Sequence, residues 1–139
     1  MKILIDTNII LDVALERQPF YLESIQVISF VYQKQIEGYI SASSVSELYD
    51  IISKEKGRNL TVDFFRRIGT FCQMATVNDV VIDLALNTNF PNFEDAIKYS
   101  TALINQLDVI VTRNTQNFPV VNPQIMTPDL LIQQFNNSV

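Results

Sequence analysis

The hydrophobic pattern changes period several times along the chain. Ile3, Leu4 and Ile5 form a continuous apolar run that leads directly to Asp6, Thr7 and Asn8. Such a run reads as a strand buried on both faces in the middle of a parallel sheet, which puts Asp6 at its carboxyl end. From Phe20 to Glu37 apolar residues recur at helical spacing (Leu22, Ile25, Ile28, Val31, Tyr32, Ile36), with Gly38 as the expected C-terminal stop. Tyr39 and Ile40 read as a short second strand. Ser43 or Ser44 can cap a helix through Val45, Leu48, Tyr49, Ile51 and Ile52, closing on Lys54-Glu55-Lys56-Gly57 with cations at the negative end of the helix dipole. Thr61 opens another helix, through Phe64, Phe65, Ile68 and Phe71.

Met74 to Val77 is the expected third strand. Asn78 caps a short helix through Val81, Ile82 and Leu86, and Asn92 starts a longer one that reaches about Leu107. Asp108 to Thr112 reads as a buried strand, Val120-Val121 as a short one, and Thr127-Pro128-Asp129 as the start of a last helix, with proline in its first position and an acid in its first turn. Strands alternating with helices predict an α/β fold. We expect a single domain over residues 1–139, its central, mostly parallel twisted sheet of four to five strands covered by helices on both faces.

Composition narrows the chemistry. At 139 residues, 47% hydrophobic and 18% charged, the chain can bury about two-thirds of its extended surface in one core. There is no histidine, which removes the usual general base, serine triads and most zinc sites. Cys72 stands alone in an apolar helical pattern and reads as a small core residue. The net charge of −5 speaks against a protein that coats duplex nucleic acid, although bound divalent cations would invert the local charge of an acidic site. With no apolar run of about 18 residues and no basic-then-apolar leader pattern, a cytoplasmic location without membrane contact is expected.

In open parallel sheets ligands gather at the carboxyl ends of strands. Asp6 ends the first strand, Ser41 to Glu47 follow the second, and Thr112 to Asn117 follow the fourth, while Asp95 opens a helix. Each acid also has a plainer reading. Asp6 could cap a following helix or close a turn. Glu47 could complete a capping box with Ser44. Asp95 could be a favourable first-turn acid after Asn92, and Thr112 to Asn117 an ordinary polar loop. Their occurrence together and in order carries more weight than any one of them.

The segments IDTNIILD, SSVSELYDII, NFEDAIKYSTAL and VIVTRNTQNF resemble the successive motifs of the PIN-domain ribonucleases, the group that includes VapC-type toxins. The resemblance covers nearly the whole chain. It places the three catalytic, metal-binding acids on Asp6, Glu47 and Asp95, with Asn8 and Thr112 in supporting roles. Where the family commonly carries a further acid after the fourth strand, this chain has Asn114 and Asn117. An asparagine oxygen can meet a metal or its water but adds no negative charge, so a second ion would bind more weakly; Glu94 or Asp50 could compensate.

The implied activity is metal-dependent hydrolysis of RNA to a 3′-hydroxyl and a 5′-phosphate. Mg2+ or Mn2+ is the expected cofactor, since the candidate ligands are hard oxygens. A small antitoxin and a second copy of the chain, as in a homodimer, are the implied protein partners. For the RNA, Lys98, Arg113, Arg66 and Arg67 are candidate phosphate contacts; equally, Lys98 could neutralise the acids, and the arginines could belong to a solvated face. Two other readings compete: a PIN-like module that has lost catalysis and binds protein or nucleic acid, and a receiver-like signalling domain with an acidic Mg2+ pocket.

Overall fold

The computed structural model describes residues 1–137. In chain order the elements are β1 (Lys2–Ile5), α1 (Thr7–Ala14), α2 (Tyr21–Tyr32), β2 (Glu37–Ser41), α3 (Val45–Lys56), α4 (Arg58–Ile68), β3 (Cys72–Ala75), α5 (Asp79–Leu86), α6 (Phe93–Ile104), β4 (Val109–Val111), β5 (Gln124–Met126) and α7 (Pro128–Asn137). Single turns of 3-10 helix lie at Ala42–Ser44 and Thr115–Asn117. The five strands pair in parallel in the order β3-β2-β1-β4-β5. β1 is therefore central, with Leu4 opposite both Tyr39 and Ile110.

Alternation along β1 divides the core. Ile3 and Ile5 face one side with Ile9, Val27, Leu48, Ile68 and Leu131, which come from α1, α2, α3, α4 and α7. Leu4 faces the other with Ala102, Leu107, Ile110 and Phe118. A side chain as fully buried as Ile3 or Leu4 contributes about 1.5–3 kcal/mol by leaving water. The sheet grows from β1 to β2 and β3 in one direction, then crosses to β4 and β5 in the other. That reversal opens a crevice at the carboxyl ends of β1 and β4, where a doubly wound sheet offers its ligand site.

Several boundaries differ from the sequence reading. α2 ends at Tyr32 instead of running to Glu37, because Lys34 takes a left-handed conformation (φ 61°) and the amides of Gln35 and Ile36 fold back on the Phe30 carbonyl. Gly38 stops no helix. It lies within β2, where an added Cβ would stand 2.7 Å from one Val31 methyl and 2.8 Å from the other, so glycine lets α2 settle against the strand backbone.

α4 starts at Arg58, leaving Thr61 inside it with its hydroxyl donating to the Gly57 carbonyl. α6 stops at Ile104, since Gln106 turns left-handed (φ 59°). β3 lies two residues earlier than expected and takes in Cys72, a core residue on a strand and not on a helix. The last strand is Gln124–Met126; Val120 folds back on the Phe118 carbonyl and Val121 is exposed, so that pair joins no ladder.

Candidate functional site

Three elements deliver charged side chains to the crevice. Asp6 follows β1 and is also the N-cap of α1: its Oδ1 accepts the Thr7 amide at 2.8 Å. Its own amide donates to the Val111 carbonyl at 2.9 Å, which extends the β1–β4 ladder by one bond and fixes the residue's backbone. On the neighbouring strand end Thr112 donates its hydroxyl to Asp6 Oδ2 at 2.7 Å and accepts the Asn114 amide at 3.0 Å. Helix capping and site placement are thus one arrangement.

α6 forms the facing wall. Its N-cap, Asn92, accepts the Asp95 amide at 3.2 Å, which leaves the Asp95 carboxylate free to point elsewhere. Lys98 stands one turn further along. Its Nζ lies 2.7 Å from Asp6 Oδ1 and 3.9 Å from Asp95 Oδ1, and all three side chains are almost wholly buried. Burial pushes the Asp95 carboxyl above its ordinary range; Lys98 pulls it down, and the charges of Asp6 and Glu94 push it up again.

Glu47 opens α3 after β2. No capping box forms there, since Ser44 makes no side-chain cap bond. Glu47 instead lines a pocket of about 130 Å3 with Ser43, Ser44, Glu94, Ile97 and Lys98. Glu94, adjoining Asp95, thus faces the same space as Glu47, whereas Asp50 is exposed further along α3 and is not among the pocket's lining residues.

The loop after β4 is held from below. Asn8, on α1, accepts the Arg113 amide at 3.4 Å, so it braces this loop instead of Asp6. The Arg113 guanidinium turns inward. It makes a forked pair with Asp12, Nε to Oδ2 at 2.9 Å and Nη2 to Oδ1 at 3.1 Å, and lies 3.8 Å above the centre of the Phe20 ring. Ser24 donates a further bond to Asp12 Oδ2 at 3.0 Å. The sequence reading gave Asp12 no role, although it closes the segment IDTNIILD as an acid set alone within an apolar stretch.

Asn114 is half-buried and Asn117 exposed, in the one-turn helix that follows. Arg66 and Arg67 are exposed in the last turn of α4, which leads to the amino end of β3 and therefore to the edge of the sheet opposite Asp6. The structure accordingly brings Asp6, Asp95, Lys98 and Thr112 into contact, sets Glu47 and Glu94 beside Lys98, and leaves the α4 arginines apart.

The family model for the PIN domain matches residues 2–116. The chain belongs to the PIN-domain family. No curated protein sequence matches it. Solved structures that share its fold include the following three. The chain of a toxin-antitoxin complex from Klebsiella pneumoniae is 22% identical, with a TM-score of 0.69 over 90% of this chain and 96% of that one. VapBC2 from Rickettsia felis, bound to a DNA fragment from its promoter, gives 16% identity and a TM-score of 0.64 over 91% and 97%. VapC20 from Mycobacterium tuberculosis, a toxin that cleaves the sarcin-ricin loop, gives 12% and 0.61 over 78% and 86%. PIN membership sets aside the receiver-like reading, whose sheet would run 2-1-3-4-5 where this one runs 3-2-1-4-5.

The donor set suits a hard divalent ion. Among the described residues no three acidic side chains stand close enough to enclose a metal between them. Asp6 and Asp95 nevertheless already converge on one cationic group, the Lys98 ammonium. Mg2+ is commonly held by one or two carboxylates and completes its shell with water and substrate phosphate, so a pair of converging aspartates meets its requirement. Among the described residues, no helix is long and apolar enough to cross a membrane.

Proposed function

We propose that this chain is a divalent-metal-dependent endoribonuclease, the toxin of a toxin-antitoxin pair. The observation that carries the reading is the convergence of Asp6 and Asp95 at the point where the sheet reverses order. Asp6 and Asp95 would hold Mg2+ or Mn2+, with Glu47 and Glu94 completing the negative field from the adjoining pocket. Such an ion supplies polarisation of water and of the phosphodiester when bound.

The chain's own contributions follow from its geometry. Thr112 and the Thr7 amide orient the Asp6 carboxylate, which otherwise could rotate out of the crevice. Asp95 would serve as an anion; burial raises its pKa, and the Lys98 ammonium lowers it again and so favours the ionised form. Asn114 and Asn117, at the positions where the family commonly carries a further acid, would add only neutral oxygens, so a second ion would bind more weakly than the first. Lys98 is the one candidate cation already at the acids; Arg113 is engaged with Asp12, and Arg66 and Arg67 lie on the far edge of the sheet.

Partners and location complete the proposal: an RNA substrate, a small antitoxin, a second copy of the chain, and a cytoplasmic setting. Support comes from the PIN fold and from the toxin-antitoxin complexes among the solved structures that share it. The test is cleavage of a mixed RNA pool in Mn2+, Mg2+ or EDTA, comparing the parent with Asp6→Asn and Asp95→Asn. We expect cutting in either metal, none in EDTA, and a loss of at least about 100-fold in each variant. A folded parent that binds no Mn2+ and cuts nothing would leave the binding-module alternative in its place.

A further inference from the structure

We infer that Lys98 is the resident cation of the acidic site: its ammonium occupies the position between Asp6 and Asp95 while metal is absent, and withdraws when a divalent ion enters. Lys98 thereby sets the metal concentration at which the site loads. The inference rests on the nuclease reading above and adds a role for a residue that is neither a ligand nor a base.

The geometry carries three parts of the argument. First, Nζ sits 2.7 Å from Asp6 and 3.9 Å from Asp95, contacts an incoming ion would have to make for itself. Two cations cannot share that space. Second, every other group on Asp6 is fixed: Thr7 contributes a backbone amide and Thr112 a buried hydroxyl at the end of β4, so only the lysine is free to leave. A lysine ammonium is a compact charge on a flexible four-carbon stem, and it can swing without disturbing the helix that bears it.

Third, the ammonium has a destination. The 130 Å3 pocket beside it is lined by Lys98 itself together with Glu47 and Glu94, two carboxylates that give the displaced charge new partners. Withdrawal trades one acidic setting for another and leaves Asp6 and Asp95 facing a divalent ion. Arg113 offers the contrast: its fork is tied at both ends to Asp12 and stacked on Phe20, and it has no comparable freedom.

Occupancy by the lysine lowers apparent metal affinity by the fraction of time the site is vacant. If that fraction is about one-tenth, removing the charge tightens binding about tenfold. The experiment is calorimetric titration of Mn2+ into metal-free parent, Lys98→Gln and Lys98→Arg, each checked for folding by circular dichroism. We expect Lys98→Gln to bind Mn2+ several-fold to about tenfold more tightly than the parent, and Lys98→Arg, whose forked cation leaves less readily, to bind more weakly.

Equal or weaker binding by Lys98→Gln, with a parent that does bind, overturns the inference and leaves the metal-dependent reading intact. Should the glutamine variant fail to fold, Lys98→Arg decides: weaker binding than the parent supports the inference, and equal or tighter binding overturns it. Absence of binding in all three proteins at millimolar Mn2+ overturns both the inference and the reading beneath it.

Discussion

Asp6 and Asp12 lie close together in the chain, at the start and near the end of the same helix, and both are buried, yet their charges are handled in opposite ways. Asp12 is fully enclosed. Both of its oxygens are taken by the Arg113 fork, with Ser24 adding a third bond, and the pair ties α1, α2 and the loop after β4 into one unit. Asp6 faces the crevice, and its cation comes from a single flexible lysine shared with a second aspartate. A buried carboxylate held by a rigid fork serves architecture. One held by an exchangeable ammonium can serve chemistry, because the partner can be replaced.

The largest effect that would sharpen this contrast is on stability. Asp12→Ala strands the Arg113 guanidinium and the Ser24 hydroxyl, and should cost about 3–5 kcal/mol in urea unfolding. A cost near zero would break the comparison, since Asp12 would then be no more structural than Asp6. Thr112→Val comes next. It removes the hydroxyl that donates to Asp6 and accepts from the Asn114 amide, and about 1–3 kcal/mol should be lost with those buried bonds. Combined with Lys98→Gln it should show non-additivity in a double-mutant cycle, as both act on one carboxylate.

The smallest effect concerns pH. The Asp95 carboxyl is raised above its ordinary value in the folded protein, by burial first and by Asp6 and Glu94 in addition, against the pull of Lys98. Between the ordinary aspartate value and the raised one the folded state therefore holds a proton that the unfolded chain has already released, and stability falls as pH rises through that window. In EDTA, Asp95→Asn should flatten this decline and raise Tm slightly at neutral pH, by about 2 °C, while Asp12→Asn should lower it. A drop in Tm for Asp95→Asn would mean that its contact with Lys98 outweighs its burial.

Local signals made much of the fold legible. The Ile3 to Ile5 run, the asparagine caps at Asn78 and Asn92, and Thr127-Pro128-Asp129 each act over a few residues, and their elements lie where the pattern puts them. What escaped depended on distant partners. Ile36 continues the helical spacing of α2 but enters the core from the turn before β2, and Gly38 is required by the Val31 methyls instead of by a helix end. α1 was legible only as the helix Asp6 could cap, without bounds of its own, because its apolar run continues that of β1. β5 has only the pair Ile125-Met126 as its apolar signal, no longer than Val120-Val121, and is defined by pairing with β4.

The candidate site divides along the same line. Topology alone gathers Asp6 and Thr112, since both end adjacent strands, and the spacing of Asp95 and Lys98 on one helix face makes their pairing readable. The inward turn of Arg113 was not readable, because its partner is 101 positions away in the chain. Nor was the common pocket of Glu47 and Glu94, which depends on how α3 and α6 approach each other across the crevice.

The central place of β1 has a dynamic consequence. That strand is bonded to a neighbour on each side, and the Asp6 amide continues the ladder, so its protons are released to solvent only when the whole sheet opens. Asp95 hangs instead from the first turn of α6, just after an exposed stretch from Pro91 to Glu94 that can fray by itself. The crevice thus sets a carboxylate carried by the central strand against one carried by a helix start, and amide exchange should be faster in the first turn of α6 than in β1.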